Sequence, residues 1–595
     1  MRITKDKVIK WTPVAFILLF AFAYALYAAR VSYNVPHMDA WKGLADIIEK
    51  YMAGDITFHD WFPIPHAEYF SLLSVPMQYI LYNVLHMNFQ VLTYAGIFFI
   101  AMESIVIWKA YQRSIQSKSE GEKRAYYIAF PLVLLAVYNL NQWEIASFYC
   151  AVEFFLRICF YCYMFSYIDK LLHKEKNRYR DYVYAGILCV VAIIVISHAY
   201  FPGAIATVAF TMLYDYFSKR NWKNIKYYLV TASFVIAAGV LYIATYAFSQ
   251  LSGSTASEAR GLLQKLLVLG KAFVLMSGSP LFHQSTATSL TPYYILGASN
   301  ILVSILCVFY YFRNKEHKNS YMPLMLMLYG YVSIAIIAYV RLSGFELGYV
   351  VSSRYVVETT LILIGNIWIL ISMVISAAER CKGHKVNFVK VFSATAALLI
   401  LVGCIAKSDL TEWKIAPYRK DSFKQMAYNI LNIDYVSDAE LAIAQAPAQD
   451  VRDAVVVMEK YGLGVFYDLP RSEELQRMMI DYILNGEYKV HSGVYGDNWA
   501  APNSSYYVKT GEDTALVLEG KYPFEITGNE KMTITVGEEI TEYYISEENI
   551  SVSILVPANS IVEIKIACDF YRVNLPDVRQ LAFIFQGFTG YLARK

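Results

Sequence analysis

Charged residues are scarce in this chain of 595 residues. Asp, Glu, Lys and Arg together make up 17% of the sequence, whereas hydrophobic residues make up 57%, and the mean hydropathy is +0.36. Many windows of about 20 residues are almost free of charge, which is the length that a helix needs to cross a bilayer. These features exclude an ordinary soluble protein.

Cysteine is also rare. Seven of the eight Cys lie in or beside apolar stretches, and only Cys568 lies well inside the C-terminal tail. A disulfide within the tail is therefore excluded. Cys159 and Cys162 form a C-x-x-C pair, but they lie in an apolar stretch, where packed core thiols are a better interpretation than a metal or redox pair.

Several common motifs are missing. The chain has no P-loop, no dinucleotide fingerprint and no recognisable nucleophile arrangement. The first apolar run, 11–33, is too long for a signal-peptide core and has no clear cleavage site, so it is predicted to be a retained anchor. Residues 1–406 hold 34 basic and 21 acidic residues, and residues 407–595 hold 18 and 28. This distribution, with an acidic tail, disfavours a nucleic-acid partner.

The basic residues before the first apolar run predict a cytoplasmic N-terminus. About eleven spans follow from hydropathy and from the basic loops between them. They lie near 11–33, 90–108, 125–140, 147–167, 181–197, 200–218, 227–248, 291–312, 321–340, 356–377 and 388–406. Two more apolar runs, 69–87 and 263–281, would reverse the sidedness of basic loops if they crossed. The first is predicted to lie along the outer face, and the second to be juxtamembrane or re-entrant.

The tail changes character twice. Residues 407–485 predict an extracytoplasmic linker of short amphipathic helices. Residues 486–595 contain short alternating runs broken by Gly, Pro and Asn at about ten-residue spacing, which is typical of an antiparallel β-sandwich. The predicted fold is a polytopic α-helical membrane protein, with a membrane domain over 1–406 and an outer loop over 34–89. It ends in an extracytoplasmic α+β region.

Side chains that could take part in catalysis or binding are concentrated between His37 and Phe70. On helical spacing, Asp39 and Asp46 share one face with Glu49 nearby, and apolar residues occupy the opposite face. An amphipathic helix with an acidic face is therefore predicted at the outer surface. A loop follows that is dense in His, Asp and Trp, with His59, Asp60, Trp61, His66 and Glu68. The stretch is predicted to form the floor of an active site.

The order of these elements resembles the GT-C superfamily of polytopic glycosyltransferases, which take sugars from polyprenyl-phosphate donors. The resemblance rests on Asp39 beyond the first span, DIIEKYMAGDITFHDWF after it, and PIPHAEYF at the end of the loop. Three later stretches also resemble bacterial members. They are NLNQWEIASFY (139–149), LMSGSPLF (275–282) and VSSRYVVET (351–359). In the tail, GVYGDNWA (493–500) and LPDVRQLAF (575–583) resemble an appended domain of such proteins.

The resemblance implies sugar transfer from a polyprenyl-phosphate carrier to an extracytoplasmic glycan, polymer or lipid, with inversion at the anomeric carbon. It implies a multi-pass protein of the bacterial plasma membrane with the C-terminal domain outside. Asp39 is then the base that takes the proton of the acceptor hydroxyl. Many members carry two adjacent acids where this chain has Asp39 and Ala40, so a second acid must come from elsewhere, if one is used.

Arg354 and Arg341 flank an outer loop and are candidates for the lipid phosphate, because a guanidinium binds phosphate in a bidentate way. Tyr355, next to Arg354, belongs to the same candidate site. The alternative for both arginines is snorkelling to the membrane interface.

Asp60, His66 and Glu68 are candidates to position the acceptor or to bind a divalent cation. Their spacing matches no closed metal motif, so no cofactor is assigned and a divalent metal ion stays open. Hydrogen-bonded loop residues are the plain alternative.

Three further predictions concern residues within or beside the spans. Trp143 is a candidate for stacking on sugar or lipid, against the ordinary role of a belt aromatic. His198 is a candidate for the cavity rim, against a core or interfacial histidine. Glu153 and Arg157 lie one helical turn apart and are expected to pair.

Rival functions of two kinds remain from the sequence. One is a polysaccharide polymerase or ligase that acts on lipid-linked oligosaccharides. The other belongs to a different class, either a transporter or flippase or a non-catalytic scaffold with a sugar-binding sandwich. Few ionisable residues at mid-span and no visible inverted repeat argue against transport. The scaffold predicts that Asp39 is dispensable.

Overall fold

The computed structural model is mostly helical, with a strand-rich C-terminal region. It describes residues 5–57, 72–147, 151–174, 176, 178–196, 200–219, 225–250, 262–341, 347–381, 388–431, 433, 436–467, 488–510, 515–558, 560–574 and 577–590.

The helices of the first half begin with the predicted anchor. They are α1 (Lys5–Val31), α2 (Leu44–Ala53), α3 (Ser74–Asn83), α4 (Phe89–Ser114), α5 (Glu120–Val137), α6 (Trp143–Ser147), α7 (Ala151–Leu172), α8 (Tyr179–Val190), α9 (Phe201–Lys219) and α10 (Ile225–Gln250). A π-helical turn, Val191–Val195, extends α8.

The second half is also helical and includes one very long helix, which is followed by two shorter ones. The elements are α11 (Leu262–Gly278), α12 (Thr291–Arg313), α13 (Met322–Arg341), α14 (Val356–Cys381), α15 (Phe388–Leu431), α16 (Asp438–Leu441) and α17 (Ala448–Tyr461). Short 3₁₀ turns lie between them at Met38–Trp41, Leu140–Gln142, Ser279–Leu281, Gln284–Thr286, Glu316–Lys318, Leu347–Val351, Ser353–Tyr355, Ala442–Ala444 and Gly464–Phe466.

Eight helices in the described part of the chain are long and apolar enough to cross a membrane. They are Trp11–Val31, Phe89–Ser114, Ala151–Leu172, Ile225–Ala244, Thr291–Arg313, Met322–Arg341, Ser353–Glu379 and Val391–Leu431. Each corresponds to a predicted span. This confirms the polytopic helical class, while the predicted number of eleven exceeds the number of helices that meet these criteria.

The other three predicted spans correspond to the helices α5, α8 and α9, which are not among these eight. Helix α5 carries charges in its first turns, α8 changes to π-helical hydrogen bonding before it ends, and α9 has 19 residues. The two runs predicted not to cross are α3 and α11. With ten residues, α3 is about 15 Å long, which is too short for a hydrocarbon core of about 30 Å.

The chain divides into two compact units. The first comprises Met1–Ala29, Ile56–Ile80 and Val91–Lys414, and the second comprises Arg30–Asp55, Leu81–Gln90 and Ile415–Lys595. The division crosses α15, which is continuous through the predicted domain boundary at 406. The loop after α1 thus belongs to the same unit as the tail.

Glycines allow close helix contacts in the first unit. A Cβ on Gly297 of α12 would lie 1.8 Å from the carbonyl oxygen of Val274 on α11, and one on Gly365 of α14 would lie 2.6 Å from that of Pro323 on α13. Small residues let helix backbones approach closely where lipid supplies no hydrophobic drive for association. Helices α11 and α12 therefore form one tight pair, and α13 and α14 form another.

The strands of the second unit are antiparallel. They are β1 (Tyr488–Val494), β2 (Trp499–Lys509), β3 (Ala515–Lys521), β4 (Lys531–Val536), β5 (Glu539–Tyr544), β6 (Asn549–Leu555), β7 (Ile561–Cys568) and β8 (Phe583–Gly590). The order is β5-β4-β7-β2-β8-β3-β6, and β1 pairs with β2.

The strand region is a sandwich whose two layers are joined by hydrogen bonds. Strand β2 pairs with β7 over Asn503–Lys509 but touches β8 only at Trp499 and Ala500. The layers β5-β4-β7-β2-β1 and β8-β3-β6 enclose one apolar core. In β6 buried and exposed residues alternate, as expected for a strand with one face in the core. The predicted sandwich is thus confirmed.

Candidate active site

The three stretches that carry the family resemblance in the membrane domain meet in the first unit. The turn Leu140–Gln142 and helix α6 come from the first stretch, the turn Ser279–Leu281 from the second, and the turn Ser353–Tyr355 from the third. We call the group Asn139, Asn141, Glu144, Ser279, Ser353 and Arg354 the polar junction.

Glu144 and Ser353 form a closed ring of hydrogen bonds. The Glu144 backbone N–H donates to Ser353 Oγ (3.1 Å), and the Ser353 hydroxyl donates to Glu144 Oε2 (2.7 Å). The Arg354 backbone N–H donates to the same carboxylate oxygen (2.7 Å). Both side chains are buried, where charge-assisted hydrogen bonds are strong. The ring fixes the backbone of Arg354 relative to α6.

Two asparagines attach the second stretch to the first. Asn139 Nδ2 donates to the Pro280 carbonyl (2.8 Å), and Asn141 Nδ2 donates to those of Ser279 (2.6 Å) and Phe282 (2.9 Å). Both side-chain amides are buried. Each donates to backbone carbonyl groups that accept no hydrogen bond within a helix. The junction therefore contains hydrogen bonds that buried polar groups require, and these join residues about 140 positions apart in the sequence.

The guanidinium of Arg354 lies against two tyrosine rings. Its Cζ is 5.1 Å from the centroid of Tyr349 and 5.7 Å from that of Tyr355, and Nη2 donates to the Tyr349 hydroxyl (2.5 Å). Arg354 is half-buried, whereas Tyr355 is fully buried. The rings hold the cation at the start of α14 by cation–π attraction.

Two acids of α15 complete this region, Glu412 buried and Asp409 half-buried. Neither was predicted from the sequence, because both fall in the predicted linker. The Leu140 N–H donates to Asp409 Oδ1 (2.8 Å). Glu412 accepts from the Tyr27 hydroxyl (2.9 Å) and lies 2.7 Å from His283 Nε2. Their i, i+3 spacing inside an amphipathic run was the signal that could have found them.

His283 is held in one tautomer. The Ser285 backbone N–H donates to its Nδ1 (3.2 Å), so the ring proton is on Nε2 and donates to Glu412. Because both ring nitrogens are engaged, the pair orients the chain after α11. It does not present a base to a substrate.

Arg157 makes its close ion pair with Glu358, whereas Glu153 interacts with it through its charge over a longer distance. Both partners are fully buried, and Glu358 also accepts a hydrogen bond from Tyr329. The Arg157 guanidinium stacks on Phe154 (4.6 Å). The predicted pairing with Glu153 is therefore incomplete, because the close partner of Arg157 comes from another helix, α14, just after the polar junction.

Asp39 lies in the second unit and is exposed. It belongs to the turn Met38–Trp41, and a new helix, α2, begins at Leu44. The single helix predicted to carry Asp39 and Asp46 is therefore wrong. Gly43 ends the turn with φ of +64°, a conformation that favours glycine. Helix α2 itself has the predicted amphipathic pattern, with Leu44, Ile48 and Tyr51 buried.

The loop that holds Asp39 packs on the helical part of the tail. Helix α2 contacts α17, and Lys460 Nζ lies 3.2 Å from Glu49 Oε1. The ring of His86 stacks on Tyr467 with centroids 4.3 Å apart, and the Gly464 N–H donates to the His86 carbonyl (2.8 Å). Nothing in the sequence indicates this association.

The remaining predicted residues divide into two groups. Trp143 begins α6 beside the polar junction, and Arg341 ends α13; both side chains are half-buried. The others lie outside the described residues. They are Asp60, His66, Glu68 and His198, together with His59 and Trp61. Within the described ranges, no group of three or more His, Cys, Asp or Glu side chains is arranged to hold a metal ion.

The two tail motifs meet at Arg579. Its guanidinium makes a bidentate pair with Asp497 (2.9 and 2.6 Å), bonds Asp577 (2.7 Å), and stacks between Tyr418 and Tyr495 at 4.8 and 4.6 Å. Burial raises the pKa of Asp497, but the hydrogen bonds and charge of Arg579 outweigh it, so the pKa lies below its ordinary value. The two motifs therefore connect the sandwich to the C-terminal part of α15. We call these contacts of Arg579 the bracket.

Replacing Arg579 with alanine is expected to destabilise the sandwich by about 2–3 kcal/mol, because it removes a buried cation from two carboxylates. Hydrogen–deuterium exchange of the full-length protein, followed over 488–590, measures the loss locally. Lys531→Gln is the control, since Lys531 pairs with Glu542 on the surface. Equal exchange in the two variants would contradict a bracket at Arg579.

The same bracket has a pH dependence. Because the folded pKa of Asp497 lies below its unfolded value of about 3.8, its contribution is complete above that value and is lost as the pH falls through the folded pKa. The protection of 488–590 from exchange, measured relative to the intrinsic amide rate at each pH, should therefore fall below about pH 4, and Asp497→Asn should remove part of that acid dependence.

No protein-family model and no curated protein matches the chain. Among solved structures, it is similar to ArnT from Cupriavidus metallidurans bound to undecaprenyl phosphate, with 12% identity and a TM-score of 0.40 over 76% of this chain and 88% of that one. The apo state of the same ArnT gives 12% identity and a TM-score of 0.39 over 76% and 89%.

Proposed function

We propose that this protein is an integral membrane glycosyltransferase. It moves a sugar from a polyprenyl-phosphate donor to an extracytoplasmic glycan, polymer or lipid acceptor, with inversion. Asp39 takes the proton of the acceptor hydroxyl. Arg354, aided by Arg341, binds the phosphate of the carrier, and the sandwich helps to select the acceptor.

The polar junction carries this proposal. It brings together three stretches that resemble one family, and it ties the backbone of Arg354 to Glu144. Arg354 lies two residues before the first residue of α14, and a helix N-terminus with its oriented N–H groups favours an anion. A cation and a helix N-terminus at one place suit a phosphate that gains charge as the sugar leaves.

The packing of α2 on α17 supports placing the Asp39 loop and the tail on the same side of the membrane. The eight apolar helices support a multi-pass membrane protein. The basic residues before the first apolar run, 11–33, support a cytoplasmic N-terminus, which puts Asp39 outside a bacterial plasma membrane.

Arg354→Ala is expected to lower the activity by about 100-fold, and Arg354→Lys by about tenfold, because lysine keeps the charge but cannot bind in a bidentate way. A deletion strain is complemented with each variant at matched membrane levels, and the envelope sugar that the deletion removes is quantified. Full restoration by Arg354→Ala would remove Arg354 from the phosphate site. A product of block length would identify the polymerase or ligase instead.

One observation favours transport as the second candidate. Acidic groups are buried inside helices that could cross the membrane, among them Glu103 at mid-helix in α4 and Glu412 of α15. This weakens the sequence argument that ionisable residues are few at mid-span. A flippase predicts that lipid-linked sugar accumulates unused in the deletion strain, with Asp39→Asn fully functional.

A further inference from the structure

An apolar groove opens between α12 and α13. It has a volume of about 930 Å³, and its walls come from α9, α11, α12 and α13. The groove exists because α12 is held on α11 and α13 is held on α14, so the two consecutive helices part from each other. The polar junction is not part of this groove.

The groove has the depth of one membrane leaflet. Its lining on α12 runs from Phe312 inward to Ile301, which is about 17 Å at 1.5 Å per residue, and half of a hydrocarbon core is about 15 Å. At the inner end the Tyr331 hydroxyl donates to Ser304 Oγ (2.7 Å), and Phe273 stacks on the Tyr331 ring at 5.5 Å. These contacts close the groove near the middle of the membrane.

The mouth of the groove, at the end opposite the Tyr331–Ser304 contact, carries positive charge at the level where α12 leaves the membrane. Arg313, the last residue of that span, lies with Cζ 5.8 Å from the ring of Phe309, which lines the groove. In the described part of the chain, Arg313 has no recorded hydrogen bond or ion pair. Lys315 and Lys318 follow on the same connection and are exposed.

The nearby acids do not cancel this charge. Glu316 is engaged by Lys118 (2.8 Å). Asp215 is engaged by Lys219 (2.8 Å) and by the Tyr321 hydroxyl (2.8 Å). The mouth of the groove is therefore a cationic rim above an apolar slot.

We propose that this groove binds an anionic phospholipid of the surrounding leaflet. One acyl chain fills the slot as far as the Tyr331–Ser304 contact, and the headgroup phosphate pairs with Arg313. An anionic headgroup gains from each basic side chain at the membrane surface, whereas the ammonium of a zwitterionic headgroup opposes that gain. The site does not depend on the proposed sugar transfer.

Lipid retention by the purified full-length protein tests the proposal. The protein is exchanged into nanodiscs with equal amounts of phosphatidylglycerol and phosphatidylcholine, extracted, and examined by native mass spectrometry. We expect phosphatidylglycerol to be retained in preference, and Arg313→Gln to reduce the preference about fivefold. Arg180→Gln is the control for net charge, because Arg180 is 75% exposed on another connection.

A second variant tests the slot itself. Ile305→Trp fills the groove and is expected to abolish retention of both lipids. Leu306→Trp adds the same volume on an exposed face of α12 outside the groove lining and should retain them as wild type does. Apparent unfolding temperatures confirm that both variants are folded. Equal retention of the two lipids by wild type, an unchanged preference in Arg313→Gln, or lipid retained by Ile305→Trp would each overturn the proposal.

Discussion

Asp39→Asn is expected to leave the envelope of a deletion strain without the sugar that wild-type protein restores. An asparagine has the shape of the aspartate but cannot take a proton, and removing a general base lowers a rate by about 10²–10⁴-fold. That is about 3–5 kcal/mol of transition-state stabilisation. The measurement is the glycan composition of the envelope at matched membrane levels of the two proteins.

Asp39 is well suited to this test because its removal should not harm folding. The side chain is exposed, and within the described residues its carboxylate makes no recorded hydrogen bond or ion pair. Asp46→Asn is a matched control, since Asp46 is an exposed acid of α2 in the same unit. Complete restoration of the sugar by Asp39→Asn would reject Asp39 as the base and favour the scaffold or transporter.

Glu358→Ala is expected to destabilise the membrane domain by about 3–5 kcal/mol, the usual cost of leaving one partner of a buried ion pair alone. Arg157 would keep its charge in a fully buried position, where Nε and Nη1 already lack a hydrogen-bond partner among the described residues. The readout is the rate of thermal unfolding of the purified protein in detergent, because unfolding of such a protein is rarely reversible.

Two further variants test whether the ion pair between Arg157 and Glu358 holds α7 to α14. Glu316→Gln breaks a peripheral pair with Lys118 and should cost at most about 1 kcal/mol. The double replacement Arg157→Met with Glu358→Leu removes both charges at similar volume and should recover most of the stability. A loss for Glu358→Ala no larger than that for Glu316→Gln would show that the pair does not hold α7 to α14.

Much of the fold was predictable because the relevant signals are local. A window of about 20 apolar residues is a property of the sequence alone, and each of the eight membrane-length helices coincides with a predicted span. Period-two alternation likewise located the sandwich in the tail, although it did not reveal that β2 joins the two layers. The charged first turns of α5 and the π-helical turn after α8 distinguish two of the other three predicted spans from these eight.

The candidate site was only partly predictable because its contacts join distant parts of the chain. In the sequence, the stretches around Glu144 and Ser353 resemble those of one family, but nothing local indicates that they share hydrogen bonds across 209 residues. Asp409 and Glu412 escaped notice because α15 continues past the predicted end of its span. Gly43 separates Asp39 from Asp46, which a helical projection overlooks.

By itself, the sequence determined that the chain crosses a membrane many times, that an acidic tail ends in a sandwich, and that polar residues gather after the first span. The tertiary structure alone decided which polar groups meet. Arg157 pairs with Glu358 of a distant helix, although Glu153 lies one turn away. A buried charge has few partners within reach, so helix packing selects the partner, and spacing along the chain does not.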